Sequence, residues 1–171
     1  MINAFACAEG RLQRLTVPSE PDALARAAWI DLEEPTSEEA ALVHRATGLH
    51  VSARDELEEI ESSSRLGFED NALYLSMPMV THGLDDSPRS SPLGFVVTRD
   101  RLITIRFQPS RLFDSFAERV PRESSLKLGA LHVFVGLLEA LVDRIADVLE
   151  RIRADLDAIS NRTFQESAAP R

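Results

Sequence analysis

The sequence predicts an α/β protein, in which a sheet of at least six strands has helices on both faces and a long helix follows. Short apolar or alternating runs between turn signals predict the strands. Segments with helical spacing and capping residues separate these runs and predict the covering helices. A forty-residue stretch with heptad spacing near the C-terminus predicts the long helix.

The N-terminal third predicts three strands and two short helices. Residues 2–8 and 11–17 read as strands around the turn signal Glu9-Gly10, and 18–22 as a loop. Residues 29–32 (WIDL) read as a buried strand. Thr36 caps the next helix, with Glu39 completing a capping box and Gly48 ending the helix. A second helix is expected over about 53–60, capped by Ser52.

The middle of the chain predicts further strands and one helix. Leu66 and Phe68 alternate with polar residues, and the same alternation returns over 73–79. Pro78 cannot donate to a sheet ladder, so a free strand edge is expected near it. Residues 81–92 read as a polar, mobile loop. A hairpin is expected over 93–107, and a helix over 109–120.

The long helix is expected from about Ser124 to Phe164, with one apolar face that broadens in its first half. Two columns of apolar residues keep heptad spacing: Leu131, Leu138, Ile145, Ile152 and Ile159, and Val135, Val142, Leu149 and Leu156. A third column, Phe134, Leu141 and Val148, ends at Asp155. We therefore expect an α/β/α domain over 1–122 and the first part of a stalk over 123–171. A stalk with one apolar seam needs a partner helix, so we expect assembly.

Composition excludes several classes of function. The net charge of −9 argues against nucleic acid and anionic lipid as partners. The single cysteine excludes an internal disulfide and a multi-cysteine metal site, and it suits a reducing compartment. No apolar run reaches the roughly 20 residues of a membrane span.

Acidic residues are concentrated between Asp31 and Glu61. This segment has ten acids against two arginines, Arg45 and Arg54, and so carries a charge of −8. Such a zone attracts cations. Solvated helix faces with acids near their N-termini are the alternative explanation.

Two sets of carboxylates are candidate ligands for a hard cation such as Mg²⁺ or Ca²⁺. The first is Asp55-Glu56-x-Glu58-Glu59-x-Glu61, in which Asp55 and Glu59 share a helix face. The second is the row Glu139, Asp143 and Asp147 on the long helix. Asp147 can pair with Arg151, which favours a plain surface, whereas Glu139 and Asp143 have no basic residue four positions later. Glu139 and Asp143 are therefore the candidate ligands of the second set, whereas spacing alone does not choose among the acids of the first.

An enzymatic function is not expected. The seven glycines are scattered and form no phosphate-binding loop. The serines near His50 and His82 lack a nucleophile-elbow context, and His44 and His50 have poor spacing for two ligands on one helix. The sequence contains no organised set of nucleophile, base and oxyanion donors.

The order of these motifs resembles the N-terminal cytoplasmic part of the CorA family of divalent-metal transporters. The matching segments begin at Trp29 and cover most of the remaining chain: 29–32 (WIDL), 35–39 (PTSEE), 48–50 (GLH), 55–56 (DE), 65–71 (RLGFEDN), 137–143 (LLEALVD) and 149–152 (LERI). Val51 stands where the family usually has proline, and Arg54-Asp55-Glu56 replaces a more usual Leu-Glu-Asp.

The resemblance implies an α/β/α sandwich with a mixed sheet of six to seven strands, followed by a stalk helix that runs towards the membrane. It implies a homopentamer at the cytoplasmic face of the inner membrane, in which Mg²⁺ bound between subunits stabilises the closed state. It assigns those regulatory sites to Asp55, Glu56 and Glu139.

The same resemblance places the membrane helices and the Gly-Met-Asn pore signature beyond Arg171. The chain is then expected to be a soluble fragment or a truncated relative that contacts a membrane only through that missing part. We expect weak, regulatory Mg²⁺ binding, with Co²⁺, Ni²⁺ or Zn²⁺ as alternatives, and a monomer or dimer for the fragment. A soluble coiled-coil interaction module without a metal role is the alternative function.

Overall fold

The computed structural model describes residues 1–8, 11–16, 20–58, 65–82, 88–119 and 129–167. The chain divides into two compact units, Met1–Leu137 and Leu138–Arg171. The expected domain boundary after residue 122 lies outside the described residues, as does the turn Glu9-Gly10.

A seven-stranded mixed sheet forms the centre of the first unit, which confirms the predicted fold class. Its strands are β1 (Ile2–Ala8), β2 (Arg11–Arg14), β3 (Trp29–Glu33), β4 (Leu66–Glu69), β5 (Ala72–His82), β6 (Pro88–Val97) and β7 (Leu102–Arg106). They lie in the order β2-β1-β3-β7-β6-β5-β4. The β3–β7 pair is parallel, and the other pairs are antiparallel.

Five helices accompany the sheet in the described part of the chain: α1 (Pro21–Arg26), α2 (Ser37–Thr47), α3 (Arg54–Glu58), α4 (Arg111–Arg119) and α5 (Ala130–Ser167). Successive side chains of a strand point to opposite faces of the sheet. Trp29 and Ile30 on β3 are both buried, so both faces of the sheet are covered.

The first face forms the main aliphatic core. Ile30, Leu32, Ile103 and Ile105 of the central parallel strands are fully buried there. The covering helices contribute apolar residues to the same cluster: Leu24 from α1, Val43 from α2 and Leu57 from α3. Leu57 is therefore the side chain that attaches α3 to the core, while the rest of that short helix faces solvent.

The second face is aromatic. The Phe5 and Trp29 rings stack with centroids 4.7 Å apart, and Phe116 of α4 meets Trp29 edge-on at 5.9 Å. Phe134, near the start of α5, meets Phe95 edge-on at 5.4 Å. Such edge-to-face contacts suit the charge distribution of aromatic rings, and they place α4 and the first turns of α5 against the sheet.

The capping residues predicted for α2 are confirmed. The Glu39 backbone N–H donates to Thr36 Oγ1 at 3.2 Å, and the Thr36 N–H donates to Glu39 Oε2 at 3.0 Å. Gly48 ends the helix in the left-handed conformation, with φ of 74°. These contacts satisfy backbone groups that a helix end otherwise leaves unpaired.

Two expected loops are shorter than predicted. Pro21 and Asp22 belong to α1, whose six residues are too few to show helical periodicity. The predicted loop over residues 81–92 is too long at both ends, because β5 continues to His82 and β6 begins at Pro88. The ladder is formed by backbone groups, so polar side chains do not prevent it. Residues 83–87 lie outside the described residues.

The edge expected near Pro78 agrees with the sheet. β4 pairs with Ala72–Leu75 only, and Pro78 faces Pro92 of β6 on the other side. Among the described residues, β5 thus has no partner strand beside Pro78 on its β4 edge.

The long helix α5 begins at Ala130 rather than near Ser124, and residues 120–128 lie outside the described residues. Its 38 residues span about 57 Å. Ala130, Val133 and Leu137 are its buried residues within the first unit. The heptad columns lie on a different side, and all of their residues except the half-buried Leu138 are exposed. No described helix has the length and apolar character needed to cross a membrane.

Candidate metal-binding surface

The predicted acidic pair Asp55-Glu56 lies on α3, with both side chains exposed. The following residue, Leu57, fixes the helix, because its Cδ1 lies 2.8 Å from where a Cβ on Gly94 would be. A residue larger than glycine at position 94 would therefore require the Leu57 side chain to shift. The acids Glu59 and Glu61, which were grouped with this pair, lie outside the described residues.

Glu56 contacts a histidine that sequence reasoning did not connect with it. His50 Nε2 lies 2.9 Å from Glu56 Oε2. The only signal in the sequence is the separation of six residues across a turn, which by itself does not bring two side chains together. His44 does not join this contact, because its Nδ1 lies 3.0 Å from the Leu49 carbonyl oxygen.

Arg54, the residue that departs from the family pattern, does not neutralise Glu56. Its Nε donates to Glu58 Oε1 at 2.8 Å, one helical turn away. Its guanidinium also lies over the Phe107 ring, 5.7 Å from the centroid. The arginine is therefore paired with Glu58 and Phe107, and Glu56 keeps His50 as its neighbour.

A shallow cavity of about 210 Å³ lies beside Glu56. Its polar lining includes the hydroxyl-bearing residues Ser52, Tyr74 and Ser76. The Tyr74 hydroxyl also accepts the His50 backbone N–H at 3.3 Å. Apolar side chains, among them Leu57, Leu75 and Ile105, complete the lining, so the cavity beside Glu56 is of mixed polarity.

The other two predicted ligands, Glu139 and Asp143, lie on α5 in the second unit, and both are exposed. Being four positions apart, they share one face of the helix. Within the described ranges, no three His, Cys, Asp or Glu side chains converge as a metal centre would require. Exposed carboxylates do fit Mg²⁺, which retains several of its own waters and takes one or two protein oxygens. The four-residue ligand set stays a prediction.

A buried charge network on the second face of the sheet was not anticipated. The Arg106 side chain is fully buried and donates to Asp31 Oδ2 from Nη2 at 3.0 Å and to Oδ1 from Nε at 3.2 Å. The Thr104 hydroxyl donates to Asp31 Oδ1 at 2.8 Å. Two further acids face the same guanidinium, Glu33 at 2.9 Å and Asp114 of α4 at 3.5 Å.

This network links the parallel strand pair to α4. Burial alone lowers the pKa of Arg106, but the hydrogen bonds and charge of Asp31, with Glu33 and Asp114, raise it above its ordinary value. The guanidinium also lies 5.3 Å from the Phe113 ring centroid. Because every named partner is used internally, we assign this network to the structure of the domain rather than to a ligand site.

Comparison with known proteins identifies the family. A family model described as "CorA-like Mg2+ transporter protein" matches residues 25–170. The chain belongs to the CorA-like Mg²⁺ transporter family. The magnesium transport protein CorA of Escherichia coli K12 is 31% identical over 160 residues, covering 94% of this chain and 50% of that protein. The CorA of Haemophilus influenzae gives the same identity and coverage. The chain spans about half the length of these curated relatives.

Solved structures share the fold. The soluble domain of CorA from Methanocaldococcus jannaschii superposes with a TM-score of 0.71 at 15% identity, covering 96% of this chain and 65% of that one. The full-length CmaX protein gives 0.70 at 21% identity, covering 94% of this chain and 50% of that one. The ZntB cytoplasmic domain from Vibrio parahaemolyticus gives 0.65 at 17% identity, covering 91% and 63%. CorA family membership confirms the resemblance.

Proposed function

We propose that this chain is the cytosolic regulatory domain of a CorA-like divalent-cation transporter and binds Mg²⁺ weakly at subunit boundaries to control gating. The transporter would be a homopentamer, with this domain at the cytoplasmic face of the inner membrane. Asp55 and Glu56, together with Glu139 and Asp143, would supply carboxylates to the boundaries between copies.

The unpaired apolar side of α5 is the observation that carries this proposal. Eight residues of the two heptad columns are 45–63% exposed: Leu131, Val135, Val142, Ile145, Leu149, Ile152, Leu156 and Ile159. Monomeric proteins rarely leave such a continuous apolar surface in water. Heptad spacing suits a second helix packed along the seam, so the exposed columns support assembly.

Charge provides the physical mechanism by which Mg²⁺ would control that assembly. Carboxylates that face each other across a subunit boundary repel, and a divalent cation between them removes the repulsion. Loss of the cation would weaken the closed ring and shift the population towards open states. The exposure of Asp55 and Glu56, and the pairing of Arg54 with Glu58, leave the acids accessible for this role.

A Mg²⁺ titration tests the proposal. We expect about 20 mM Mg²⁺ to raise the melting temperature or the oligomeric size of the chain, since regulatory sites of this kind bind in the millimolar range. Glu56→Ala and Glu139→Ala should reduce the response. NaCl at matched ionic strength is the control, because screening alone also relieves repulsion between acids. A response equal to that of NaCl would contradict metal sensing.

A coiled-coil interaction module without a metal role is the second candidate, and the exposed heptad columns of α5 support it equally. It predicts association that depends on Ile152 and Leu156 but is insensitive to chelators. Association that disappears with EDTA and returns with Mg²⁺ would exclude this candidate.

A further inference from the structure

We infer that His50 and Glu56 together form a two-ligand site for borderline divalent cations, with Zn²⁺ as the best fit and Co²⁺ and Ni²⁺ next. This inference deepens the proposed function, because it adds an imidazole to a surface so far described by carboxylates alone. It concerns which cation this surface prefers.

The distance between the two donor atoms is the first argument. Zn²⁺ binds imidazole nitrogen and carboxylate oxygen at about 2.0–2.1 Å, so two cis ligands at a right angle lie about 2.9 Å apart, and two tetrahedral ligands about 3.3 Å apart. His50 Nε2 and Glu56 Oε2 are 2.9 Å apart. A cation can therefore bind both atoms with only a small side-chain movement.

The backbone on both sides is fixed, which is the second argument. His50 is flanked by the buried residues Leu49 and Val51, and its N–H is bonded to the Tyr74 hydroxyl. Glu56 precedes Leu57, which packs against Gly94 in the core. A ligand pair whose backbone is already ordered loses less conformational entropy when it binds a cation.

The donor types and the space around them decide which cations fit. Imidazole favours Zn²⁺, Co²⁺ and Ni²⁺ over Mg²⁺, which prefers oxygen and retains its waters. The side chains of His50 and Glu56 are 60% and 51% exposed, so water can complete the coordination shell. An exposed contact between two such side chains contributes little to stability by itself, so a bound cation can replace it at little cost.

Zinc titration followed by ¹⁵N NMR of the histidine rings tests the inference on the whole chain, with added ZnCl₂ or MgCl₂ as the probe. We expect Zn²⁺ to shift the His50 Nε2 resonance, and Mg²⁺ at equal concentration to leave it unchanged. Glu56→Gln should weaken zinc binding at His50 by about tenfold or more, since one of two ligands is lost. Glu58→Gln is the matched control, because Glu58 is an acid of the same helix that is paired with Arg54. The His132 ring, exposed on α5, is the internal reference.

Two results would overturn the inference: zinc that leaves His50 Nε2 unshifted, or equal effects of Glu56→Gln and Glu58→Gln. Circular dichroism of each variant separates loss of folding from loss of binding. The inference rests on the proposed function, but the zinc and Mg²⁺ titrations can fail separately. If Mg²⁺ fails to change stability or assembly while zinc binds His50, the regulatory proposal falls and the zinc site stands. The opposite pair of results removes the zinc site alone.

Discussion

Replacing Arg106 with leucine should destabilise the domain more than any change on its surface. The Arg106 side chain is fully buried, and its main partner Asp31 is 4% exposed. Arg106→Leu leaves the Asp31 carboxylate buried without its counter-ion. Breaking a buried ion pair by removing one partner costs about 3–5 kcal/mol. The loss of the guanidinium above Phe113 adds to this cost.

Urea unfolding measures this loss. With a typical urea dependence of about 2 kcal/mol per molar, a loss of about 4 kcal/mol lowers the midpoint by about 2 M. Asp114→Asn is the matched control. Asp114 contacts the same guanidinium at 3.5 Å but is 67% exposed, so its removal should cost about 1 kcal/mol or less.

A double variant, Asp31→Leu with Arg106→Leu, isolates the cause. Removing both charges eliminates the uncompensated carboxylate, so the double variant should be more stable than Arg106→Leu alone by several kcal/mol. The reasoning is refuted if the free energy of unfolding of Arg106→Leu is within about 1 kcal/mol of that of the parent. It is also refuted if the double variant is as unstable as the single one.

Three further predictions concern the capping box, the left-handed glycine and the exposed seam. Burial opposes ionisation of Glu39, but the hydrogen bond from Thr36 and the N-terminal ammonium lower its pKa below the ordinary 4.5. Its stabilisation is therefore complete above pH 4.5 and lost as the pH falls through the lowered pKa. Glu39→Gln should cost about 0.5 kcal/mol near neutral pH, and its melting curves should converge with those of the parent as the pH is lowered. Gly48→Ala should lower the free energy of unfolding by about 1 kcal/mol, because the φ of Gly48 is +74°. Gly67→Ala should leave it unchanged, because a Cβ at position 67 meets no atom within 4 Å and the φ of Gly67 is not in the left-handed region. Equal denaturation midpoints for the two variants would contradict this prediction. The double variant Ile152→Asp, Leu156→Asp should abolish association of the chain in sedimentation velocity. Arg153→Asp, a change at another exposed position of α5, should leave association unchanged. Association that survives the double change would exclude the heptad columns of α5 as the contact surface.

The elements with strong local signals were predictable from sequence. The Thr36–Glu39 capping box and Gly48 define α2 because their contacts are made within one turn of the chain. β3 and β7 were found because a run of buried apolar residues needs no knowledge of its neighbours. The family was recognisable because short motifs such as residues 29–32 and 48–50 recur in a particular order.

Local signals failed where backbone pairing or distant packing decides the outcome. α1 is too short to display periodicity, and the β5–β6 ladder extends through polar residues because main-chain groups pair regardless of side chain. The heptad columns correctly marked an apolar side of α5. They did not indicate that Ala130, Val133 and Leu137, on a different side, are the residues buried within the first unit.

By itself, the sequence determined most of the strands and helices, the acidic segment and the family, since each depends on residues close together in the chain or on their order. The tertiary structure alone decided which charges meet. Arg106 and Asp31 are 75 positions apart and become an ion pair only because β3 and β7 lie side by side in parallel. His50 meets Glu56 because Tyr74 of β5 binds the His50 backbone and Gly94 of β6 contacts Leu57, the residue after Glu56 on α3. Charge pairing depends on distance in space, and spacing along the chain does not specify that distance until the sheet has formed.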